Sequence, residues 1–358
     1  MRWKSWLTSY TTFLAAGYGV AASSGASAQP PPPATDAYLR VVDVGAGLCV
    51  VIVVPGGHAM LYDAGPGGGR CSAAVQQMVP SHRLDLVVLS HSDADHIGEM
   101  RDILRDNRVA AIIHPGDDHP FTRPRGGGKA YLELMRDDIA SEGATVWNLA
   151  ESTTPPAPGR RFSIGTATAT FVAGWGDGHL TEGPRERRLN GGPLNNALSV
   201  VIRFEYGGHS VLLTGDTVGR PESRPKGTCQ YAERIMAAPG YRPAVDSDVL
   251  VGQHHGADNA TSECFIRAVS PDYVVFSAGH VVRYHHPRQG AFDRIKAVRP
   301  LARILRTDRG DNEGGAEMAA EGGRCPDPPG DDDVEIRLPR NPSARIDVRY
   351  RGPSRGCP

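Results

Sequence analysis

The chain has 358 residues, long enough for one large domain or two modest ones, and 40% of them are hydrophobic, which supplies a sizeable core. Its 39 basic and 40 acidic residues leave a formal net charge of -1 at neutral pH. The basic residues are scattered, so no global field announces a nucleic-acid partner, and contact with a polyanion would have to be local.

Residues 1–28 read as a secretory signal peptide: Arg2 and Lys4 precede a short apolar stretch, and Ala26-Ser27-Ala28 gives a small-residue cleavage pattern. Thr, Ser, Tyr and Gly interrupt that stretch, which falls short of the roughly 20 apolar residues needed to span a bilayer. Export to the periplasm or medium is expected, with no stable membrane span once the signal is removed. Residues 29–36, QPPPPATD, form a Pro-rich linker stiffened in an extended conformation.

The runs YLRVVDV, LCVVIVV and HAMLYDA, separated by GAG and PGG, predict three successive strands joined by tight turns. SAAVQQMVP suits a helix, LDLVVLS a buried strand, and IGEMRDILRD an amphipathic helix starting just after His96. A strand VAAIIH, a helix ending at Gly143 and a strand ATVWNLA follow. Residues 177–196 are polar and punctuated by Gly and Pro, which predicts a long loop whose Arg185, Arg187 and Arg188 form a solvated face. Beyond it come paired strands LSVVIRFEY and HSVLLTG, a strand SDVLVGQ, a helix near 261–269, a strand DYVVFSAG, a helix near 288–297 and a strand ARILRT. Residues 308–358 are read apart from this domain, as a flexible Gly-, Asp- and Pro-rich segment and a small terminal hairpin of VEIRL and ARIDVRY. Strand-rich blocks interleaved with helices imply an α/β layered domain over 37–307.

Six cysteines lie beyond the signal: Cys49, Cys71, Cys229, Cys264, Cys325 and Cys357. In an exported chain they allow up to three disulfides in any of 15 connectivities. None forms a CxxC pair, which argues against a zinc ribbon, and Cys49 also fits a small buried hydrophobe in an apolar run.

The densest chemical signal is HSDADH, which sets His91, Asp93, Asp95 and His96 where a buried strand gives way to a helix. That strand-to-helix turn at the carboxyl edge of a sheet is where α/β folds place their sites. Imidazoles mixed with carboxylates suit zinc, manganese or iron, whereas an all-oxygen set suits calcium or magnesium. Alternate residues facing different ways let one turn serve two adjacent ions. The bland alternative, a helix cap in which Asp side chains satisfy free N–H groups, accounts for one Asp but not for four ligand-type residues together. Neither a GxSxG nucleophile elbow nor a Walker loop is present.

HSDADH resembles the HxDxDH signature of the metallo-β-lactamase superfamily, and within it the hydrolase domain attached to the bacterial competence (DNA-uptake) protein ComEC. Other segments agree in order. VVDVGAGLCVVIVVPGGHAMLYDAG is similar to that family's opening strands and puts Asp63 in its first motif. NNALSVVIRF, LLTGD with Asp216, DVLVGQHHGADNAT, and VVFSAGHVVRYHHP with His286 follow. The resemblance implies a four-layer αββα sandwich holding two divalent metal ions, zinc foremost and manganese the alternative. His91 and Asp93 would hold one ion, Asp95 and His96 the other, and Asp216 would bridge them. His255 would complete the second ion's ligands, with His254 beside it. The third motif, often a histidine in the superfamily, is Asn196 here. Asn is a poorer ligand than His, so the first ion's site is expected to be weaker, to favour manganese, or to be empty. Ala46-Gly47-Leu48 and Val282 also depart from the family pattern, which puts substrate identity in doubt.

The implied reaction is hydrolysis by a metal-bound hydroxide, since two such ions lower the pKa of a shared water toward neutrality. Asp95 and Asp63 would act as catalytic carboxylates orienting the nucleophile or its ligands, and His286 would donate a hydrogen bond or proton to the developing oxyanion. The leading expectation is an exported phosphodiesterase, nuclease-like, acting on a phosphoester or nucleic acid. Hydrolysis of a small lactone, amide or thioester is the alternative, and a catalytically degenerate metal-binding module is the third reading. No motif predicts a protein partner.

Overall fold

The computed structural model describes residues 35–115, 138–149, 157–174, 192–220, 228–279, 284–309, 330 and 332–352. The signal peptide, most of the linker, the three arginines at 185–188, Val282, Cys325 and Cys357 lie outside these residues.

The opening strands form where expected: β1 (Ala37–Val41), β2 (Val50–Val54) and β3 (His58–Tyr62) make an antiparallel meander. The short strand β4 (Arg83–Leu84) pairs with β6 (Arg108–Val109) at the margin. Parallel strands β5 (Leu86–Val88), β7 (Ala111–His114) and β8 (Thr145–Asn148) continue the first sheet. A second sheet holds β9 (Arg161–Ile164), β10 (Ala167–Ala173), β11 (Val201–Tyr206) and β12 (His209–Leu213), antiparallel to one another. It continues in parallel through β13 (Val249–Val251), β14 (Tyr273–Phe276) and β15 (Arg303–Arg306).

The last two strands correct the sequence reading. The terminal hairpin does form, as β16 (Val334–Leu338) and β17 (Asp347–Tyr350), but β16 pairs antiparallel with β1, so both strands belong to the first sheet rather than to an appendage. Alternation explains the placement, because Val334, Ile336 and Leu338 face the core while Glu335 and Arg337 do not.

The near-continuous apolar runs are explained by two-sided burial. In VVIVV, Ile52 faces between the sheets with Leu39, Met60, Val88, Phe171, Phe204 and Leu213, whereas Val51 faces outward with Leu61, Val87 and Ile112. Helices α1 (Arg70–Met78), α2 (Ala94–Ile97) and α3 (Met100–Asp106) cover that outer face through Val75, Ile97 and Ile103. On the far side, Leu212, Leu250 and Val274 of the second sheet pack on Met236, Phe265 and Ile295, which lie on further helices. The short helix α4 (Gly192–Ala197) leads into β11, and α5 (Tyr231–Met236), α6 (Arg242–Val245), α7 (Glu263–Val269) and α8 (Gln289–Val298) follow in chain order. The result is the expected helix-sheet-sheet-helix order of layers.

Three local differences matter for the site. Asp95 and His96 lie on the helical turn α2, and the amphipathic helix starts only at Met100, because Gly98 packs against the Pro66 main chain and divides the two. Asn195 and Asn196 sit on α4 instead of on a loop. Strands β9 and β10 were not read from the sequence, since β9 is only four residues long and the small Ala and Thr residues of β10 give weak hydrophobic alternation.

Candidate metal centre

The site gathers at the carboxyl ends of strands from both sheets. Asp63 follows β3, Ser90 to His96 follow β5, Asp216 follows β12, His254 and His255 follow β13, and Ser277 follows β14. Tyr62 ties the sheets beneath it by donating its hydroxyl to Val200 O at 2.5 Å, and Val200 N donates to Ser90 O at 2.8 Å. Gly215 makes the approach of the Asp216 turn possible: its φ is +51°, and a Cβ there would lie 2.5 Å from Ser90 Cβ.

Asp63 is fully buried and turns away from the open side of the site. Its Oδ1 accepts from Ser90 N at 2.6 Å, and its Oδ2 accepts from Ser90 Oγ at 2.7 Å and from His96 Nδ1 at 2.8 Å. In this position Asp63 orients a ligand, as carboxylates beside metal-bound histidines do. Ser90 Oγ, having given its proton to Asp63, accepts from His91 Nδ1 at 2.9 Å. His91 Nε2 is then left as a buried lone pair with no hydrogen-bond partner among the described residues.

His255 is held in the same way from the other sheet, its Nδ1 donating to Ser277 O at 2.8 Å. Its Nε2 lies 3.3 Å from His96 Nε2, 3.4 Å from Asp216 Oδ2 and 3.5 Å from Asp95 Oδ2. His96 Nε2 is also 3.3 Å from Asp216 Oδ1, an atom that is buried and makes no hydrogen bond. With both rings neutral, two imidazole lone pairs and two carboxylates thus converge with no donor between them among the described residues, an arrangement that is repulsive unless a proton or a metal cation sits among them. His91, His96 and Asp216 form one group, and Asp95, His96 and His255 another, in each of which the ligand atoms lie within 4.8 Å of one another. Mixed imidazole and carboxylate donors aimed at one point fit a divalent transition-metal ion.

The electrostatics register the same demand for positive charge. Burial by itself depresses the His255 imidazole, but Asp216 and Asp95 outweigh it and push its pKa up to about 10. Burial likewise opposes protonation of His96, yet Asp216, Asp63 and Asp95 raise it well above the usual value. Asp216 moves the opposite way: burial favours its neutral form, and His255, His96 and His254 hold it well below the ordinary carboxylate range. Asp95 is lowered against its own burial, chiefly by His96 and His255.

Asp93 occupies the N-cap position of α2 but makes no capping hydrogen bond, which removes the helix-cap alternative for this residue. Burial raises its pKa, while His91 and Asn195 outweigh that and lower it. Its Oδ2 lies 3.7 Å from His91 Nε2, and its Oδ1 accepts from Asn195 Nδ2 at 3.3 Å.

The Gln253–Gly256 stretch is a single 3-10 turn in which His254 and His255 both take left-handed conformations, with φ values of 47° and 53°. Two consecutive non-glycine residues there cost roughly 1–2 kcal/mol each and persist only under strong external constraint. The constraint comes from behind the turn. Gln253 Nε2 donates to Glu233 Oε1 at 2.9 Å and to Thr217 Oγ1 at 3.1 Å, and Glu233 also accepts from the main chain and hydroxyl of Ser262. His254 Nδ1 meets Asn259 Oδ1 at 3.0 Å, and its Nε2 lies 3.1 Å from Asn196 Nδ2 and 3.8 Å from Asp216 Oδ2.

His286 is near the centre but touches none of the converging carboxylates among its described contacts; its ring is 5.7 Å from that of His254 and is stacked with Tyr284 at 5.8 Å. Burial, reinforced by His254, His255 and Arg288, pushes its pKa down to about 3. The expected proton donation is therefore narrowed: His286 stays a neutral imidazole, able to give a hydrogen bond.

Residues 46–48 support the site through the main chain, since Ser277 Oγ donates to Gly47 O at 2.7 Å and Leu48 N donates to Asp95 O at 3.2 Å. Ser90, Glu233, Gln253, Asn259 and Ser277 are site residues that sequence reasoning missed. For Ser90 and Gln253 a signal existed, because each directly precedes a ligand motif. A glutamate on a short helix, such as Glu233, carries none.

Comparison with known proteins agrees with this geometry. The sequence is 28% identical over 234 residues to ComE operon protein 3 of Bacillus subtilis (strain 168), covering 63% of this chain and 24% of that protein. It is 29% identical over 282 residues to the competence protein ComA of Neisseria gonorrhoeae, covering 77% of this chain and 32% of that protein. The chain thus spans about a quarter of the length of the first relative and about a third of the second. A ribonuclease Z from Mycolicibacterium gilvum (strain PYR-GCK) is 26% identical over 189 residues, covering 53% of this chain and 59% of that protein. The profile of the metallo-beta-lactamase superfamily matches residues 42–280, which include both sheets' site-bearing strand ends, and the chain belongs to that superfamily.

Proposed function

We propose that the chain is an exported, metal-dependent hydrolase that cleaves phosphodiesters, with nucleic acid as the substrate class. One observation carries the reading: the Nε2 atoms of His96 and His255 face each other at 3.3 Å beside Asp216, and the Nδ1 atom of each ring is already committed, to Asp63 and to Ser277. This is a ligand set waiting for a divalent ion. Zinc fits the imidazole content best, and manganese is the alternative. When bound, two such ions supply a water of lowered pKa and neutralise charge on a phosphoryl oxygen.

The chain's own residues do the positioning. Asp63, Ser90 and Ser277 fix which nitrogen of each imidazole is free. Asp95, on the exposed side of the group, is placed to accept a hydrogen bond from the attacking water and so orient it. His286, held neutral, is placed to donate a hydrogen bond to the substrate, and the Arg288 charge bearing on it suits an anionic substrate. Similarity to two competence proteins and to a ribonuclease Z supports phosphodiesters over lactones or thioesters. Export is supported by two disulfides, Cys49–Cys71 and Cys229–Cys264, which persist in oxidising compartments. Among the described residues no helix is long and apolar enough to cross a membrane.

The test is a hydrolysis panel with added zinc or manganese: bis-p-nitrophenyl phosphate, single- and double-stranded DNA, RNA, a lactone and a β-lactam, with Asp95→Ala and His255→Ala as controls. The expected result is phosphodiester cleavage that both substitutions abolish. Turnover of the lactone or lactam alone would overturn the substrate class. Cleavage untouched by either substitution would overturn the metal mechanism, and full metal loading without turnover of any substrate would favour a binding module.

A further inference from the structure

Asn196 stands where a third-motif histidine is expected, which on its face leaves the first ion short of an imidazole. The geometry around the Gln253–Gly256 turn supplies one. Because His254 and His255 are both left-handed, their rings separate, with centroids 6.2 Å apart; both Nε2 atoms approach Asp216 Oδ2, at 3.8 and 3.4 Å, and their other neighbours differ. His255 Nε2 meets His96 and Asp95. His254 Nε2 and His91 Nε2 both approach Asp216 Oδ2, at 3.8 and 3.9 Å.

The tautomer of His254 is fixed from outside the site. Asn259 Oδ1, at 3.0 Å, takes the Nδ1 proton, so Nε2 carries the lone pair. Among the described residues only the Asn196 amide meets that lone pair, and Asn196 Oδ1 is itself buried without a partner there. A half-turn of the amide would release His254 Nε2 and offer Oδ1 in place of the N–H.

We infer that His254 is a metal ligand, supplying to the first ion the imidazole that Asn196 does not, so that the two histidines of the turn serve one ion each. The first ion is then held by His91, Asp93, His254 and Asp216, and the second by Asp95, His96, His255 and Asp216. Each set has two imidazoles, one carboxylate of its own and the shared Asp216. The strain of two adjacent left-handed histidines has a purpose in this arrangement, since one strand end delivers a ligand to each ion. Asn196 becomes a residue that orients His254. The first ion is accordingly no weaker in donors than the second, contrary to the expectation from the sequence. The inference rests on the dinuclear reading above but not on the identity of the substrate.

The experiment is metal counting on the full chain, by elemental analysis and by calorimetric titration of the metal-stripped protein with zinc or manganese alone, with circular dichroism as the check on folding. Wild type is expected to hold two ions and His254→Ala one, and Asn196→His placed in the His254→Ala background restores the second. Asn259→Ala, which leaves every ligand in place, is expected to weaken one ion's binding about tenfold, as loss of an orienting partner does. Two ions of unchanged affinity in His254→Ala would overturn the inference, as would a single ion in wild type. If His254→Ala does not fold, unchanged binding of both ions by Asn259→Ala overturns it. Two ions lost and regained in this pattern, in a protein inert toward phosphodiesters, would leave this inference standing and overturn the proposed activity alone.

Discussion

His96 and His255, contributed by different sheets, face each other through Nε2 atoms 3.3 Å apart, and each has its Nδ1 proton already committed, to Asp63 Oδ2 at 2.8 Å and to Ser277 O at 2.8 Å. As neutral imidazoles, neither ring can donate to the other without giving up a buried hydrogen bond. The pair therefore holds together only around a positive charge, and a divalent ion meets that need better than a shared proton because Asp95 and Asp216 join the same point.

Metal removal is expected to destabilise the fold as well as to stop turnover. Binding to the native state alone adds about 2.7 kcal/mol when the free ion is 100 times its dissociation constant. A chelator should lower the melting temperature, and added zinc or manganese should restore it in proportion to the logarithm of its concentration. A melting temperature indifferent to chelator would mean that the site is neutralised by protons instead.

Asp63→Asn tests orientation separately from ligation. Asn can present its N–H to His96, which turns the imidazole's free lone pair away from Asp216. Metal affinity is expected to fall 10- to 100-fold, while Asp63→Glu, which keeps the acceptor but not its reach, falls between the two. Calorimetric titration of each variant supplies the measurement.

Glu233 should matter to stability out of proportion to its distance from the ions. It is fully buried, and its removal strands the donors of Gln253 and Ser262. Glu233→Ala is expected to cost about 2–4 kcal/mol in urea unfolding, the range for leaving buried polar groups unpaired. Gly219→Ala should act in the same direction, because a Cβ at Gly219 would lie 1.8 Å from Glu233 Oε2. A stable Gly219→Ala protein with native metal affinity would show that this brace is dispensable.

The pH dependence has a definite sign at His286. Its folded pKa is depressed to about 3, so the native state refuses a proton that the unfolded chain takes near pH 6.5. Its contribution to stability is complete above pH 6.5 and is lost progressively as pH falls toward 3. Across pH 5 to 9 the ring stays neutral, and its NMR resonances should not move; a midpoint near 6.5 would contradict the environment described for it.

Much of this was legible in the sequence because the signals were local. Strand runs such as VVIVV and the HSDADH turn name their own structure, and each ligand sits at the end of an apolar run. What stayed hidden depends on contacts between distant segments. Nothing near Asp63 says that it points at His96 rather than at the open site, since the two are 33 positions apart. Nothing in VEIRL says that Arg337 will reach Asp36 and seat β16 beside β1. The disulfide pairing, Cys49 with Cys71 and Cys229 with Cys264, was likewise a matter of proximity in the fold and not of spacing.

Those two disulfides give a further expectation. Cys71 Sγ lies 3.9 Å from Asp63 O, and Cys264 Sγ lies 3.1 Å from Ser262 Oγ, so each bond braces one side of the centre. Paired Cys→Ser substitution at either is expected to cost about 2–4 kcal/mol and to weaken metal binding. Unfolding free energies that do not respond to a reductant would show that neither bond forms in the purified protein.

The central claim is that a metal ion lies between the two sheets' histidines. Anomalous diffraction at the zinc or manganese edge, from crystals grown with that metal, tests it most directly. The account predicts a peak within about 2.0–2.3 Å of both His96 Nε2 and His255 Nε2, with a second peak on the His91 side of Asp216. Loaded crystals with no peak between His96 and His255 would contradict it.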